Sequence, residues 1–530
     1  MAHLPVPGSA VSASIATSST TIPKTTLAIA RSRPVALALV SVLGVALAVR
    51  LGVVLTQGYV VFADETFQYL EQGHRLAFGT GVLPWEFQDG IRSWLLPGAV
   101  AGVMRAAAWI WDDPRLYLFL ARLSCALLSL TVVVVGFRMA LRRDGLAAAI
   151  LTGGFCALWF DLAYFAPTVM TEVMAAHLAI LAIGLGDRAL DDARAAPRRW
   201  FLAGVCCGLV VCLRFQYGPA LAVAVLWQNR LSWARWRPML AGGVLTLLLG
   251  AGVLDWVTWG SPFQSIWLNV LRNGADGVSA AMGTDGPAFF LAYLDVALWP
   301  APVLLFLVAV GAVRAPALAL AALVTLAMHS LVPHKEVRFI YLTLAAMPIL
   351  AGLGAASLLR ALAERFGGPL RGVGVVGLLG LAAMLSWHNA TGPGLAGRWS
   401  FNRATIGLFL AANQRPDLCG LGVRDMRVID SGGYAYLHRD VPMLFADFEP
   451  EIRLDGARVP LRFAVTRHGT AVPQAPGTTF GAAAGRYNYL IAAGGATPPG
   501  FVPIDCATDA ARRDLPPLCL FRREGGCTGR

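Results

Sequence analysis

Residues 34–55 read PVALALVSVLGVALAVRLGVVL, an apolar run long enough to cross a bilayer at ~20 residues per helix. It is too long for a signal-peptide core and has no clear small-residue cleavage site. Lys24, Arg31 and Arg33 precede it, so the positive-inside bias makes it a first transmembrane helix that runs outward. Residues 1–33, rich in Ser, Thr, Ala and Pro, read as a disordered cytoplasmic arm.

Composition extends that reading to the whole chain. Of 530 residues, 57% are hydrophobic and 14% charged, and the 56 glycines bring the apolar share to about two-thirds. Ordinary soluble chains hold ~45–50% apolar and ~25% charged residues. A soluble protein of this length would divide into several cores, each needing a charged surface that is not available here. Soluble multidomain enzymes and disordered chains are therefore excluded. The net charge of +12 does not mark a nucleic-acid binder, because the basic residues cluster between apolar runs.

Ten further spans follow, near residues 116–139, 146–163, 168–186, 200–213, 215–229, 239–259, 288–312, 316–333, 338–358 and 372–390. Arg214, Gln216 and Gly218 interrupt the short 200–229 pair. Arginine clusters recur where inner loops belong, at Arg138/Arg142/Arg143, Arg188/Arg194/Arg198/Arg199, Arg230/Arg235/Arg237, Arg314 and Arg360/Arg365/Arg371. The alternation holds with eleven spans, provided that the run from Trp94 to Trp111 does not cross. Pro97, Gly98, Arg105 and the flanking tryptophans suit an interfacial or re-entrant helix there. Residues 34–390 thus form the membrane module, with a large external loop over 58–115.

From about Thr391 the chain becomes polar, and residues 391–530 are expected to form a small external α/β domain. Its expected elements are a helix at Phe401–Asn413 and strands at Arg427–Asp430, Tyr489–Ile491 and Leu518–Phe521. Cys125, Cys156, Cys206, Cys207 and Cys212 lie in apolar runs and behave as small hydrophobes. Cys419, Cys506, Cys519 and Cys527 could pair in an oxidising compartment.

Two clusters could carry chemistry. The external loop opens with Phe62-Ala63-Asp64-Glu65-Thr66-Phe67-Gln68 and continues through Trp85-Glu86-Phe87 and Gly90-Ile91-Arg92-Ser93. Adjacent carboxylates at a membrane surface must be solvated, paired or used. Asp64 either caps a helix over Glu65–Phe78 or belongs to a site in which Trp85, Glu86 and Arg92 bind substrate. The second cluster, His334-Lys335-Glu336-Val337-Arg338-Phe339, places cations on the expected outer side, against the charge bias. It reads either as a turn paired internally through Glu336 or as a phosphate site, where Lys supplies a point charge and Arg a fork. Arg214, within a membrane segment, is a further candidate. Asp161, Glu172, His177 and Asp255 are weaker, and no His/Cys/carboxylate spacing indicates a metal.

The run Ala63-Asp64-Glu65-Thr66-Phe67-Gln68, followed by His74-Arg75, Trp85-Glu86 and Gly90-Ile91-Arg92-Ser93, resembles the first luminal loop of the dolichyl-phosphate-mannose-dependent mannosyltransferases. These enzymes of GPI-anchor and N-glycan assembly belong to the GT-C superfamily. The segment from His334 to Phe339 is similar to their second signature, His-Lys-Glu-x-Arg-Phe. The likeness is clearest over residues 40–350. Where the family commonly has His-Pro before the acidic pair, this chain has Phe62-Ala63.

The resemblance implies a polytopic α-helical GT-C fold and an inverting transferase. Such an enzyme moves a hexose, mannose in the first instance, from a polyprenyl-phosphate donor to a glycan or glycolipid hydroxyl at the outer membrane face. It implies Asp64 as the base and Glu65 as its orienting or acceptor-binding partner. His334, Lys335, Arg338 and Arg214 would hold the donor phosphate. With those cations in place, no divalent metal or other cofactor is expected, and no nucleic acid. The expected setting is a bacterial inner membrane, with the site on the periplasmic side. The alternatives are a transporter or flippase for lipid-linked or small anionic substrates, and a non-catalytic scaffold. Matching pairs of broken helices, the usual pointer to a transport site, are missing from the sequence.

Overall fold

The computed structural model describes residues 33–56, 58–187, 196–367, 369–447, 452–454, 457–459, 463–474, 478–508 and 516–528. Apart from Arg33, the expected N-terminal arm lies outside them. Six helical runs among the described residues are long and apolar enough to cross a membrane. They are Arg33–Thr56, Pro114–Asp144, Ala196–Asn229, Trp233–Trp259, Val337–Phe366 and Arg371–Thr391. Shorter apolar helices, Leu146–Leu158, Thr171–Leu185 and Pro316–Leu331, accompany them.

The run Ala196–Asn229 folds back on itself. A straight helix would separate residues 200 and 228 by ~42 Å at 1.5 Å per residue, yet Gln228 and Trp200 both face Gly186. The reversal is the 3-10 turn Phe215–Tyr217, directly after Arg214. The span expected at 288–312 is also interrupted, because Phe289–Ala297 and Ala301–Arg314 meet at 100°. Proline cannot continue the helical ladder through the break at Pro300. Asn389 donates to the freed carbonyls of Ala297 (3.0 Å) and Trp299 (3.2 Å).

Ion pairs tie the helices together at one end. Arg143 donates to Asp187 at 2.7 Å, and Asp144 accepts from Arg314 at 2.9 Å and also from Arg360. Asp64, Glu172, Arg214 and Arg338 gather at the opposite end. The arginine alternation requires this same separation of loops.

At that opposite end, the first loop forms a wide π-helical turn at Glu65–Leu70, a helix at Glu71–Phe78, strand β1 at Thr80–Leu83, a short helix at Trp85–Gln88 and the helix Leu95–Ala108. The last of these spans only ~21 Å, short of the ~30 Å hydrocarbon core. It lies on the Glu71–Phe78 helix, where Val100 presses on Gly73 so closely that a Cβ there would come within 2.5 Å.

The C-terminal region contributes β2 (Leu421–Val423), β3 (Met443–Phe445), β4 (Ile452–Leu454), β5 (Ala457–Val459), β6 (Ala464–Arg467), β7 (Thr470–Ala471), β8 (Tyr489–Ala493), β9 (Val502–Ala507) and β10 (Leu518–Arg522). Five of them form a mixed sheet in the order β3-β2-β8-β10-β9. The disulfides Cys419–Cys527 and Cys506–Cys519 close around it. The expected strands at 489–491 and 518–521 are β8 and β10, and the expected helix is Arg403–Asn413. Residues Val428–Asp430 form a 3-10 turn instead of a strand. Arg427 grips Asp430 at 2.8 and 3.2 Å, and in a strand residues three apart would face opposite ways.

This region is joined to the first loop by backbone as well as side chains. Strand β6 pairs antiparallel with β1, from Thr80 opposite Arg467 to Leu83 opposite Ala464. Buried Glu71 accepts from the backbone N–H groups of Val82 (2.7 Å), Tyr434 (2.9 Å) and Ala435 (2.7 Å). Gly433, at φ +59°, leaves room for that carboxylate: a Cβ would stand 2.5 Å from it. Burial raises the Glu71 carboxyl to about 7 even against those three donors. Beside it, His74 Nε2 meets His438 Nδ1 at 2.9 Å, and His438 Nε2 meets Asp112 at 2.9 Å.

Candidate active site

Asp64 and Glu65 are adjacent in sequence but face different surroundings. Successive helical residues point about 100° apart, and here that turn separates two roles. Glu65 is fully buried and accepts from the backbone N–H groups of Val61 and Val169, both at 3.2 Å. It ties the loop to the entrance of the Thr171–Leu185 helix. Asp64 keeps 28% side-chain exposure and receives Arg338 Nη2 at 2.6 Å. Its carboxylate does not cap the helix: the guanidinium has taken it.

Arg338 is the hub of the cluster. Its Nε donates to Glu336 Oε2 at 2.5 Å and lies 3.7 Å from Glu172 Oε1. Glu172 also pairs with Arg214 at 3.2 Å. Phe62 and Phe339 lie 4.7 and 5.4 Å from the Arg338 guanidinium, and Phe339 lies 4.9 Å from that of Arg214. Glu172 is thus the countercharge two cations share, and a buried charge without one would be very costly. Glu336 is held at about 2: burial alone would raise its carboxyl, but Arg338 and His334 more than offset that.

The two remaining expected phosphate ligands are engaged elsewhere. The Lys335 ammonium donates to the carbonyls of Val332 (2.6 Å), Asp285 (2.8 Å) and Pro333 (3.4 Å). His334 faces Glu336 at 3.0 Å and the Gly283 carbonyl at 3.2 Å. Both His334 partners are acceptors, and the Glu336 hydrogen bond raises the imidazole pKa. These two residues anchor the 283–285 segment instead of presenting free cations.

Two cavities adjoin this cluster, one lined by Arg214 and the other by Asp64. The first, of about 40 Å³, is lined by Arg92, Arg214, Tyr69, Thr171, Gln216 and apolar residues including Leu96, Leu213 and Ile266. Among the described residues, the buried Nε atoms of Arg92 and Arg214 have no hydrogen-bond partner, nor does Nη1 of Arg338. Tyr69 Oη and Thr171 Oγ1 lie 2.7 Å apart on its wall. The second cavity, of about 140 Å³, is lined by Asp64, Glu86, Gln68, Trp85, Phe67, Met282, Ile429 and Phe463, among others. Gln68 donates to Glu86 at 2.8 Å. Burial raises the Glu86 carboxyl to about 7; Arg92 opposes this and Asp64 adds to it.

The profile of the Alg9-like mannosyltransferase family matches residues 41–402, more than half of the chain. The chain belongs to that family. GPI mannosyltransferase 3 of Yarrowia lipolytica is 26% identical over 410 residues, which is 73% of this chain and 73% of that protein. GPI mannosyltransferase 3 of Drosophila melanogaster is 45% identical over 85 residues, 16% of this chain and 15% of that one. Two crystal structures of ArnT from Cupriavidus metallidurans share the fold. The apo form gives a TM-score of 0.50 at 17% identity, and the form bound to undecaprenyl phosphate gives 0.51 at 16%. Each covers 76% of this chain and 85% of ArnT. The protein is therefore a multi-pass membrane mannosyltransferase of the GT-C type.

Within this Alg9-like enzyme, Arg92 and Arg214 line the first cavity, Asp64, Glu86 and Trp85 line the second, and Arg338 links Asp64 to Glu172. Glu172 was only a weak sequence candidate; the signal was a carboxylate at the head of an apolar helix, which needs a countercharge. Gln68 belonged to the motif without an assigned role. Met282, Ile429 and Phe463 gave no sequence signal, because only the chain's path brings them to the cavity.

Proposed function

We propose that this mannosyltransferase transfers a mannosyl group, with inversion, from a polyprenyl-phosphate donor to a glycan or glycolipid hydroxyl. Asp64 acts as the general base. The observation that carries the reading is the position of Asp64, in contact with the arginine cluster on one side and lining an open cavity on the other. Asp64 takes the acceptor hydroxyl proton, the acceptor oxygen bonds to the anomeric carbon, and the bond from that carbon to the phosphate oxygen breaks. The polyprenyl phosphate departs with both electrons and is stabilised by Arg92, Arg214 and Arg338, whose donors face the place where charge develops.

The ion pair fits such a cycle. Arg338 orients Asp64, and a phosphate arriving beside Arg338 competes for the guanidinium and releases the carboxylate for proton transfer. The fold neighbour bound to undecaprenyl phosphate supports a lipid donor of this chemistry. The arginine alternation, and two disulfides in the C-terminal region, support a site on the oxidising, non-cytoplasmic side of the membrane, which in a bacterial inner membrane is the periplasmic side. The arginines supply the charge stabilisation, so transfer should persist in a chelator.

The test is transfer of radiolabelled mannose from polyprenyl-phosphate mannose by purified protein. The acceptor is the lipid extract of a deletion strain, in which the natural acceptor accumulates. Wild type should release polyprenyl phosphate in step with product, and Asp64→Asn should abolish both while leaving membrane insertion unchanged. Near-normal turnover by Asp64→Asn would remove Asp64 as the base.

A further inference from the structure

We infer that the cavity bounded by Asp64, Gln68, Trp85, Glu86 and Phe463 receives the acceptor sugar, and that the C-terminal region decides, through Phe463 and Ile429, which acceptor is used. This rests on the transfer reading above and assigns a substrate to one side of it.

The two cavities differ in hydrogen-bonding sense. The polar side chains around the larger one are Asp64, Glu86 and Gln68. The Gln68 amide N–H is given to Glu86, while its Oε1 is a buried acceptor without a partner among the described residues, in a residue only 2% exposed. Apart from the second Gln68 N–H, the groups on offer are thus oxygen acceptors, and a ligand that suits them brings many O–H donors. An anion would face the Asp64 carboxylate and, above pH 7, a second one at Glu86, and is disfavoured. The remaining walls are aromatic or apolar, Trp85, Phe67, Phe463, Met282 and Ile429, surfaces on which the C–H face of a pyranose packs. A water needs roughly 10–15 Å³ by the same measure, so about 140 Å³ is space for a larger guest. A saccharide meets all three conditions.

The wall from the C-terminal region is fixed in place. Leu83 stands opposite Ala464 in the β1–β6 pair, so one step further Pro84 and Phe463 face each other across the ribbon, with Trp85 next. The Phe67 and Phe463 rings meet edge to face at 5.9 Å. The Glu71 clamp holds the same junction from behind through Tyr434 and Ala435. Lys335 and His334 hold the 283–285 carbonyls, beside Met282 on the cavity wall. The C-terminal region is therefore part of the active site.

The experiment measures initial rates for wild type, Phe463→Ala, Phe463→Leu, Ile429→Ala and Gln68→Leu. Each is run against polyprenyl-phosphate mannose and against serial dilutions of the deletion-strain lipid extract. The expected result is a tenfold or greater rise in the half-saturating extract concentration for Phe463→Ala and Gln68→Leu. A smaller rise should follow for Ile429→Ala, with the donor KM within twofold of wild type throughout. KM does not depend on how much of a preparation is folded, so partial misfolding cannot imitate this split. Unchanged acceptor values in all four variants, or equal losses toward donor and acceptor, would overturn the inference and leave the transfer reading standing. Failure of wild type to use polyprenyl-phosphate mannose would overturn the transfer reading itself, and this inference with it.

Discussion

The two cavities beside Asp64 are built from opposite halves of hydrogen-bond chemistry. One is lined by Arg92 and Arg214, each with a guanidinium Nε that has no hydrogen-bond partner among the described residues; the other offers acceptors, at Asp64, Glu86 and Gln68. A group-transfer enzyme with a charged leaving group and a neutral nucleophile needs this asymmetry. The donor side must stabilise an anion, and the acceptor side must receive hydroxyl protons. Separation also keeps the two substrates from competing for one set of ligands. The contrast teaches that charge sign alone divides the site, and it can be tested at each position.

The largest effect should come from the residue common to both sides. Asp64→Asn is expected to lower kcat by on the order of 10²–10⁴, the usual contribution of a general base. Glu65→Gln should instead lower thermal stability, by roughly 1.5–3 kcal/mol for the lost charge-assisted bonds, with kcat per folded molecule largely kept. A Glu65→Gln enzyme that folds normally and does not turn over would reverse the assignment of the two carboxylates.

On the arginine side, Arg92→Ala and Arg214→Ala should each raise the donor KM about ten- to hundredfold, the worth of a charge-assisted phosphate bond. Acceptor KM should stay near wild type. Arg214→Lys should recover only part of the loss, since an ammonium lacks the fork. A shift in acceptor KM instead would break the division between the cavities.

A smaller effect is expected at Glu86. With its carboxyl at about 7, it is mostly neutral at pH 6 and mostly ionised at pH 8, and the ionised form accepts more hydroxyl hydrogen bonds. Acceptor KM should therefore fall as pH rises through 7. Glu86→Gln should flatten that dependence and resemble wild type at pH 6 more than at pH 8. A pH trend unchanged in Glu86→Gln would assign the titration to another group.

The smallest kinetic effect should belong to Lys335. Lys335→Met removes donors from three carbonyls, so the melting temperature should drop while donor KM moves less than twofold. A large rise in donor KM would return Lys335 to the phosphate.

Sequence alone determined the polytopic membrane character and the two signatures, because both are local; the break that bends the 288–312 span was left to the structure. Apolar run length, arginine alternation and the Ala63–Gln68 and His334–Phe339 motifs are written in contiguous residues. It even placed the reversal near Arg214, where polar residues interrupt a run. Tertiary structure decided which cations remain available. Lys335 and Arg338 stand three positions apart in one motif, but the loop's carbonyls occupy the ammonium, and the guanidinium, with more donors, spans Glu336 and Asp64 and still leaves Nη1 without a partner among the described residues. It likewise decided the separate fates of Asp64 and Glu65, which depend on what each finds one helical step apart. The acceptor wall was illegible for the same reason: Gln68 and Phe463 are nearly 400 positions apart, and the β1–β6 register brings them together. Partners that far apart are set by packing and strand pairing, and no local pattern of residues encodes them.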